Sequence, residues 1–305
     1  MKILLTGSSG FIGSHLGPLL DKKYDLTNLQ SDLTNHKMVK EEVELINPDI
    51  IVHLAARTEV EKSFYEPISF SDVNYTGTVN LVNVAATLKN LKNFVFASTM
   101  EVYGWQPISD QVKNVGIPKN FEAFDENTKP NPNAPYAVAK YACEKYLEYA
   151  NRSLGFPFTA IRQTNSYGRT DNNFFVTEQI ISQMLQNPQE INLGYSEPYR
   201  NFIHVNDTIS CLETVIENFE KCNQGYIFTI GPNQPIKIKD YVNLIAKKVG
   251  WNGVINWNTK PHRPGEIFWL NSNHNLITKI LEWYPKISLD DGLDRTIAYW
   301  KKKYA

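Results

Sequence analysis

Residues 2–13 read Lys-Ile-Leu-Leu-Thr-Gly-Ser-Ser-Gly-Phe-Ile-Gly, a short apolar strand followed by a turn with glycine at every third position. Gly7 would form the tight turn, Gly10 would let the backbone approach a phosphate, and Gly13 would let the next helix pack close to its strand. The helix N-terminus then offers unpaired N–H groups to an anion. The stretch predicts a dinucleotide pyrophosphate site, with an ordinary glycine-rich βα turn as the alternative.

A second motif, Tyr136-Ala-Val-Ala-Lys140, follows about 120 residues later and places a phenol and an ammonium on one helix face. Free tyrosine has a pKa of about 10, so it is a poor base at neutral pH unless a cation favours phenolate. The alternative is an ordinary amphipathic helix surface, but Pro135 suits a first helical turn. Together the two motifs predict a nicotinamide-dependent enzyme whose tyrosine moves a proton while hydride moves.

Composition narrows the class of protein further. The chain has 305 residues and a formal net charge of −1, with no block of like charge, which gives no electrostatic case for nucleic acid or membrane binding. Its three cysteines lack metal or redox spacing, so we expect buried reduced thiols and no metal site. The apolar start is too short for a signal peptide and no later run approaches a membrane span, which favours a cytoplasmic protein.

The first half of the chain alternates strand-like and helical patterns. Strands are predicted at 3–5, 24–29, 50–54, 94–98 and 158–162, and helices at 11–22, 36–46, 74–89 and 136–154. This alternation predicts an α/β fold, a Rossmann-type doubly wound parallel sheet over residues 1–168, with ligands at the carboxyl ends of its strands. Gly17-Pro18 falls inside the first predicted helix, where we expect a bend.

Past residue 168 the pattern loosens and Pro and Asn become frequent. Helices are predicted at 177–186, 205–218, 239–249 and 289–302, which suggests a smaller C-terminal substrate-binding lobe over 169–305, with parts of 199–231 returning to the sheet. Residues 104–135 form a proline-rich irregular stretch. Its length predicts a lid, a substrate wall, a dimer contact or a mobile segment.

Several further motifs, in order, carry a resemblance to a known family. The chain resembles the extended short-chain dehydrogenase/reductases that modify nucleotide sugars, the group that contains UDP-galactose 4-epimerase, dTDP-glucose 4,6-dehydratase and GDP-mannose 4,6-dehydratase. Besides the two motifs above, the matching segments are 32–34 (Asp-Leu-Thr), 53–56 (His-Leu-Ala-Ala), 98–104 (Ser-Thr-Met-Glu-Val-Tyr-Gly), 165–168 (Asn-Ser-Tyr-Gly), 200–205 (Arg-Asn-Phe-Ile-His-Val) and 263–266 (Arg-Pro-Gly-Glu), with Asn74, Gly77 and Thr78.

The resemblance implies roles for individual residues. Tyr136 would be the acid/base on the sugar 4-hydroxyl, Lys140 would bind the nicotinamide ribose, and Thr99 would hydrogen-bond the same sugar oxygen. NAD is the expected cofactor, although no residue near Gln30 and Ser31 excludes NADP. The implied cofactor contacts are Gly7, Ser9, Gly10, Phe11, Ile12, Gly13, Asp32, Leu33, Leu54, Ala55, Ala56, Asn74, Tyr136 and Lys140.

The implied substrate is a nucleotide-diphosphate sugar. Thr99 would contact the sugar, and Asn165, Arg200 and Arg263 would bind the diphosphate, although surface salt bridges are the alternative for the two arginines. The resemblance also implies a homodimer, formed by the helices predicted at 74–89 and 136–154. An apolar stripe on the second helix fits this interface, and it fits core packing equally well.

The reaction within this group depends on Glu101. The resemblance places it where 4,6-dehydratases keep the base that removes the sugar C5 proton, which favours a dehydratase with a recycled cofactor. Glu101 as a structural carboxylate is the alternative, and Met100 stands where dTDP-glucose dehydratases keep an acid. A 4-epimerase and a 4-dehydrogenase or 4-keto-reductase therefore stay open, as does a non-enzymatic binding scaffold.

Overall fold

The computed structural model describes residues 1–115, 117, 123–170, 172–259 and 264–305. In chain order its strands are β1 (Lys2–Thr6), β2 (Asp25–Asn28), β3 (Ile50–His53), β4 (Asn93–Thr99), β5 (Phe158–Gln163), β6 (Asn165–Tyr167), β7 (Glu190–Asn192), β8 (Tyr199–Arg200), β9 (Phe202–His204), β10 (Gln224–Ile230), β11 (Ile236–Lys237) and β12 (Val254–Asn256).

Helices alternate with these strands through the first half of the chain. They are α1 (Phe11–Asp21), α2 (His36–Ile46), α3 (Val60–Ser63), α4 (Pro67–Ser71), α5 (Gly77–Ala85), α6 (Pro107–Val115), α7 (Pro135–Leu154), α8 (Val176–Gln186), α9 (Val205–Glu217), α10 (Ile238–Val249), α11 (Asn275–Leu281) and α12 (Leu289–Tyr304). A π-helical turn spans Asp72–Thr76, and 3₁₀ turns span Met100–Tyr103 and Phe219–Lys221.

The centre of the fold is a parallel sheet that has six strands among the described residues, in the order β10-β5-β4-β3-β1-β2. The direction of winding reverses between β1 and β3, which makes this the switch point of a doubly wound sheet, and ligands bind outside the carboxyl strand ends there. The predicted fold class is confirmed. The last strand, β10, comes from residues 224–230, and the predicted domain boundary at 168/169 stays a prediction.

Alternate side chains of the strands enter two cores, one on each face of the sheet. Ile3 and Leu5 of β1 pack with α1, α9 and α11, whereas Leu4 packs with α2, α5 and α7 on the other face. Both faces are covered by helices, which explains why these strands are nearly all apolar. The two cores hold the carboxyl ends of β1, β3 and β4 in register.

A third core lies in the C-terminal part of the chain, where α8, α10 and α12 pack around Trp300 and Tyr241. A fourth core is formed by α6 and Phe124, which pack against Ile267 and Trp269. The sequence reading of 104–135 as irregular is wrong for 107–115, which are helical. The helix was missed because its apolar face is completed by residues about 150 positions away.

The structure also bears on the predictions for Pro18 and for the three cysteines. Helix α1 continues past Pro18 to Asp21, so the proline does not end it. All three cysteines are free and buried, as expected from their spacing. Across the parts of the chain described here, no helix is long and apolar enough to cross a membrane.

Candidate active site

Two positions of the turn after β1 accept only glycine for steric reasons. Gly7 has φ +71°, and a Cβ there would lie 2.6 Å from the Ala55 backbone nitrogen. A Cβ on Gly13 would lie 2.1 Å from the Gly7 carbonyl oxygen. Gly10 differs, because its Cβ would meet that oxygen at 3.3 Å, a tight contact that small shifts relieve. The turn therefore has the compact form that a pyrophosphate cradle needs.

Helix α1 begins at this turn without a side-chain cap. Its N-cap residue, Gly10, has no side chain, so no side-chain cap accepts from the first backbone N–H groups of the helix. The Arg169 guanidinium lies 4.1 Å from the centre of the Phe11 ring in the first turn. An uncapped N-terminus beside a cation suits a diphosphate. Arg169 was not among the predicted site residues, although it directly follows the Asn-Ser-Tyr-Gly motif.

The next wall of the groove is the segment after β3, Leu54–Ala56, which lies half-buried against the glycine turn. Asn74 holds it in place: its side-chain Oδ1 accepts from the Arg57 backbone N–H at 2.8 Å, and its Nδ2 donates to the Arg57 carbonyl at 2.9 Å. Asn74 lies on the π-helical turn and is buried. Its amide thus supports the groove through the backbone.

A buried histidine ties the strands beneath the groove together. His53 hydrogen-bonds Thr6 of β1 at 2.7 Å and Thr78 of α5 at 2.9 Å. Burial lowers the pKa of His53 to about 3, with a smaller contribution from Lys140. The ring is therefore neutral and structural, and it links β1, β3 and α5 just below the strand ends.

The segment after β2 lies at the other end of the predicted dinucleotide groove. Asp32 is exposed, and its carboxylate accepts from the Thr34 backbone N–H at 2.9 Å and from the Thr34 hydroxyl at 2.8 Å. These bonds lower the pKa of Asp32, so it is ionised at neutral pH. Leu33 is buried, and its carbonyl accepts from Asn80 at 2.9 Å. Both residues are held in one conformation.

The two motifs that predicted chemistry meet at the end of β4. Tyr136 lies near the hydroxyl of Thr99, the last residue of β4, and this hydroxyl lowers the pKa of the phenol. Lys140, one turn further along α7, donates from Nζ to the Ala97 carbonyl at 2.7 Å and lies 4.6 Å from the centre of the Phe96 ring. Pro135 occupies the first turn of α7, as its sequence position suggested.

The protonation of the Tyr136 phenol differs from the prediction that a neighbouring ammonium favours phenolate. Burial raises the pKa of Tyr136 well above its usual value, the Glu101 carboxylate raises it further, and the Thr99 hydroxyl opposes both. Burial also lowers the pKa of Lys140 to about 8. The protein alone therefore keeps the phenol protonated. The expected lowering by a neighbouring ammonium does not dominate, because desolvation is the larger effect for a phenol this deeply buried.

A buried ion pair fixes α7 against the sheet below these groups. Arg162 of β5 donates to the Glu144 carboxylate at 3.0 and 2.7 Å, and the Ser98 hydroxyl donates to the same carboxylate at 2.5 Å. Glu144 lies one turn after Lys140 on α7, and Ser98 directly precedes Thr99. The pair thus couples the two elements that carry the tyrosine and the threonine.

The predicted substrate residues lie on a different part of the chain. Asn165 is the first residue of β6, directly after the end of the central sheet. Arg200 donates to Glu266 at 2.9 Å, with 13% and 17% of the two side chains exposed. The predicted alternative of an arginine ion pair is therefore present, although it is mostly buried and not on the open surface. Arg263 lies outside the described residues.

Met100 is turned away from this site. It is fully buried in the core that α6 and Phe124 form with Ile267 and Trp269, and the Thr164 hydroxyl lies 2.7 Å from its sulfur. Position 100 therefore contributes no polar group beside Tyr136. Glu101, the next residue, donates its backbone N–H to the Thr99 hydroxyl at 3.1 Å and acts electrostatically on the Tyr136 phenol.

A glycine cradle and an uncapped helix lie at the switch point of the sheet, near a tyrosine, a threonine and a lysine, and this arrangement is typical of Rossmann-fold sites that use a dinucleotide. The sequence profile described as "NAD dependent epimerase/dehydratase family" matches residues 3–231. The chain belongs to this family, which confirms the resemblance to nucleotide-sugar epimerases and dehydratases and the expectation of a nicotinamide cofactor.

Individual relatives include both reaction types. The chain is 29% identical over 336 residues to dTDP-glucose 4,6-dehydratase of Streptomyces niveus, covering 100% of this chain and 94% of the relative. It is 27% identical over 338 residues to dTDP-D-glucose 4,6-dehydratase of Mus musculus, covering 99% and 89%. The crystal structure of UDP-glucose 4-epimerase with UDP-glucose from Thermotoga maritima superimposes with TM-score 0.86 at 26% identity, covering 100% of both chains.

Proposed function

We propose that this protein is a nucleotide-sugar 4,6-dehydratase, which converts the hexose of a nucleotide-diphosphate sugar into a 4-keto-6-deoxy sugar. The observation that supports dehydration is the position of Glu101, whose backbone N–H donates to the Thr99 hydroxyl at 3.1 Å and whose carboxylate raises the pKa of Tyr136. An epimerase needs no carboxylate there, whereas elimination needs a base at C5.

The glycine cradle, α1 and the Leu54–Ala56 wall would hold the dinucleotide, with Lys140 at its nicotinamide ribose. When bound, the oxidised nicotinamide would accept hydride from sugar C4 and return it at C6. The Tyr136 Oη takes the proton of the C4 hydroxyl, and the Thr99 hydroxyl hydrogen-bonds the same oxygen. Because burial holds Tyr136 protonated in the protein alone, its phenolate forms only beside added positive charge.

Elimination is the step that distinguishes the proposed reaction. A C4 ketone acidifies the C5 proton, which a Glu101 carboxylate oxygen accepts. The C6–O bond then breaks, and the leaving hydroxyl departs as water after taking a proton. Since Met100 is buried and carries no acid, Glu101 supplies that proton from the one it has just received. The carboxylate is regenerated, and the substrate loses one water. When hydride returns to C6, C5 takes one proton from solvent, which balances the proton that Tyr136 removed from the C4 hydroxyl.

The same buried Met100 supports a second candidate, an enzyme that acts at C4 without elimination. A 4-epimerase or a 4-keto-reductase has no leaving hydroxyl to protonate, so it loses nothing when position 100 carries no acid. Net consumption of reduced dinucleotide would identify the reductase. Interconversion of C4 epimers with the C6 hydroxyl intact would identify the epimerase.

The test uses purified protein and a panel of nucleotide sugars with different bases and hexoses, followed by NMR. We expect a 4-keto-6-deoxy product without net change in reduced dinucleotide. Glu101→Gln is expected to stop elimination while C4 oxidation continues, whereas the control Tyr136→Phe stops both. Unchanged dehydration by Glu101→Gln would remove the proposed base, and stoichiometric dinucleotide turnover would replace the dehydratase by an oxidoreductase.

A homodimer is also proposed, with α5 and α7 as the interface. Val138 and Tyr149 on α7 are 52% and 48% exposed, which is high for large apolar side chains. Sedimentation of the wild type should give twice the mass of one chain, and Val138→Lys should shift it toward one. A wild-type monomer at micromolar concentration would contradict the proposal.

A further inference from the structure

The carboxyl end of β2 carries an unusual arrangement around Glu42. This residue belongs to α2, yet one carboxylate oxygen accepts from the Gln30 backbone N–H at 2.8 Å. The other oxygen accepts from the Ser31 backbone N–H at 2.8 Å and from the Ser31 hydroxyl at 2.5 Å. Two successive amides and a hydroxyl thus converge on one anion, which is the composition of an anion-binding nest.

The nest lies directly after the end of β2. Leu29 still donates to the Leu5 carbonyl at 2.9 Å, so Gln30 and Ser31 are the first residues beyond the β1–β2 pairing. In the parallel β1–β2 register Leu5 pairs with Asn28, so the nest follows β2 at the level where the glycine turn follows β1. In doubly wound folds the end of this strand, about 20 residues after the glycines, recognises the adenosine ribose.

Residues 29–31 lack the side chains that normally distinguish NAD from NADP at the end of this strand. Residues 29–31 contain no Asp or Glu to take the ribose hydroxyls, and 29–35 contain no Lys or Arg to attract a 2′-phosphate. Gln30 and Ser31 offer two backbone amides and a hydroxyl, and Glu42 uses all three, while the Gln30 side-chain amide donates to the Asn28 carbonyl at 2.9 Å. A 2′-phosphate, with a charge of about −1.5 to −2, would need these donors and would be repelled by the carboxylate.

We infer that Glu42 selects NAD over NADP by occupying the anion nest at the end of β2 from the neighbouring helix. The inference rests on the dinucleotide site proposed above, and it concerns the 2′ position of the adenosine ribose. The Glu42 carboxylate competes with a 2′-phosphate, because it accepts the hydrogen bonds that the phosphate would otherwise receive. It also holds the 30–31 backbone in the conformation that borders a ribose with a free 2′-hydroxyl.

Direct binding measurements test this separately from the reaction. Purified protein is stripped of dinucleotide, and dissociation constants for NAD and NADP are measured by calorimetry at low and moderate salt. We expect the wild type to favour NAD by about tenfold or more, a difference of about 1.4 kcal/mol. Glu42→Ala frees two amides and a hydroxyl, so the ratio of NAD affinity to NADP affinity should fall about tenfold.

Matched variants separate selectivity from loop stability. Glu41→Ala makes the same change of charge on the same helix, at a residue paired only loosely with Lys37 at 3.9 Å, and should leave the NAD/NADP ratio unchanged. Glu42→Gln keeps an acceptor for the loop and should give an intermediate ratio even where Glu42→Ala folds poorly. Adding Ser31→Ala to Glu42→Gln should reduce the gain in NADP binding.

The outcomes are distinct. A ratio that moves toward NADP in Glu42→Gln and not in Glu41→Ala supports the inference. The inference is overturned if the wild type binds NAD and NADP with equal affinity. It is also overturned if a Glu42 variant loses affinity for both dinucleotides by the same factor, because Glu42 would then only stabilise the loop. Absence of dinucleotide binding in every protein would instead overturn the dinucleotide site itself. Dinucleotide selectivity without dehydration would leave the inference intact and refute the proposed reaction.

Discussion

Replacing Gly13 by alanine should weaken dinucleotide binding by about 100-fold, as the steric contacts at this position indicate. The new Cβ would lie 2.1 Å from the Gly7 carbonyl oxygen and 2.8 Å from the Ser8 Cα, where ordinary contacts begin near 3.4 Å. Both neighbours are backbone atoms of the turn, so α1 has to move away from β1. A displacement of about 1 Å in a positioned site costs about 100-fold, which corresponds to about 2.7 kcal/mol of binding free energy.

A control lies on the same helix one turn later. A Cβ on Gly17 would meet only the Leu5 Cδ2 atom at 3.6 Å, so Gly17→Ala fits without displacement. It should raise the free energy of unfolding by about 0.5–1 kcal/mol, because alanine has the higher helix propensity. Calorimetry with NAD and thermal unfolding measure both variants. Binding by Gly13→Ala within threefold of the wild type would refute the reasoning, as that affinity requires an unmoved turn.

Two further predictions concern the buried charges around α7. Because burial lowers the pKa of Lys140 from 10.5 to about 8, the unfolded chain holds this proton between those pH values where the folded chain has released it. Wild-type stability should therefore rise by about 3 kcal/mol from pH 8 to 10.5 relative to Lys140→Met, as measured by urea unfolding; equal pH slopes would contradict the shift. Arg162→Met leaves the Glu144 carboxylate buried without its partner and should cost about 3–5 kcal/mol of unfolding free energy. In that case Arg162→Met/Glu144→Met should recover part of the loss, and a single variant as stable as the wild type would show that the pair is dispensable.

The sheet could be predicted from local patterns because its strands are short apolar runs bounded by turns, as at 50–54. The same reasoning could not assign β10. Its sequence, Gln-Gly-Tyr-Ile-Phe-Thr-Ile at 224–230, is compatible with any strand, and its place beside β5 is set by partners about 65 residues earlier in the chain. Likewise α5 was predicted from 74, but the first turn is π-helical and positions Asn74 against the Arg57 backbone. Such a local change of period leaves no signal in the apolar pattern.

For the site, spacing predicted the groups that belong to one element and failed where two elements cooperate. Tyr136 and Lys140 share a helix, so their common face follows from four-residue spacing. Glu42 looks like an exposed residue of an amphipathic helix, and nothing in the sequence ties it to amides eleven and twelve residues earlier. The protonation of Tyr136 was misjudged for a similar reason, since the desolvation that raises its pKa depends on burial in the complete fold.

Glu101 and Met100 are neighbours in sequence with opposite surroundings, and this separation bears on how the proposed reaction can work. The 3₁₀ turn that carries them is anchored at its end by Tyr103, whose hydroxyl lies 2.7 Å from that of Thr229 and donates to the Asp125 carbonyl at 2.7 Å. With the turn held there and by β4 at its start, a side chain at 100 points into the apolar core while Glu101 acts on Tyr136. An acid introduced at 100 would therefore be buried among apolar side chains, away from any sugar. One carboxylate has to serve both halves of the elimination, and that requirement makes Glu101 the residue on which the choice between dehydration and simple C4 chemistry depends.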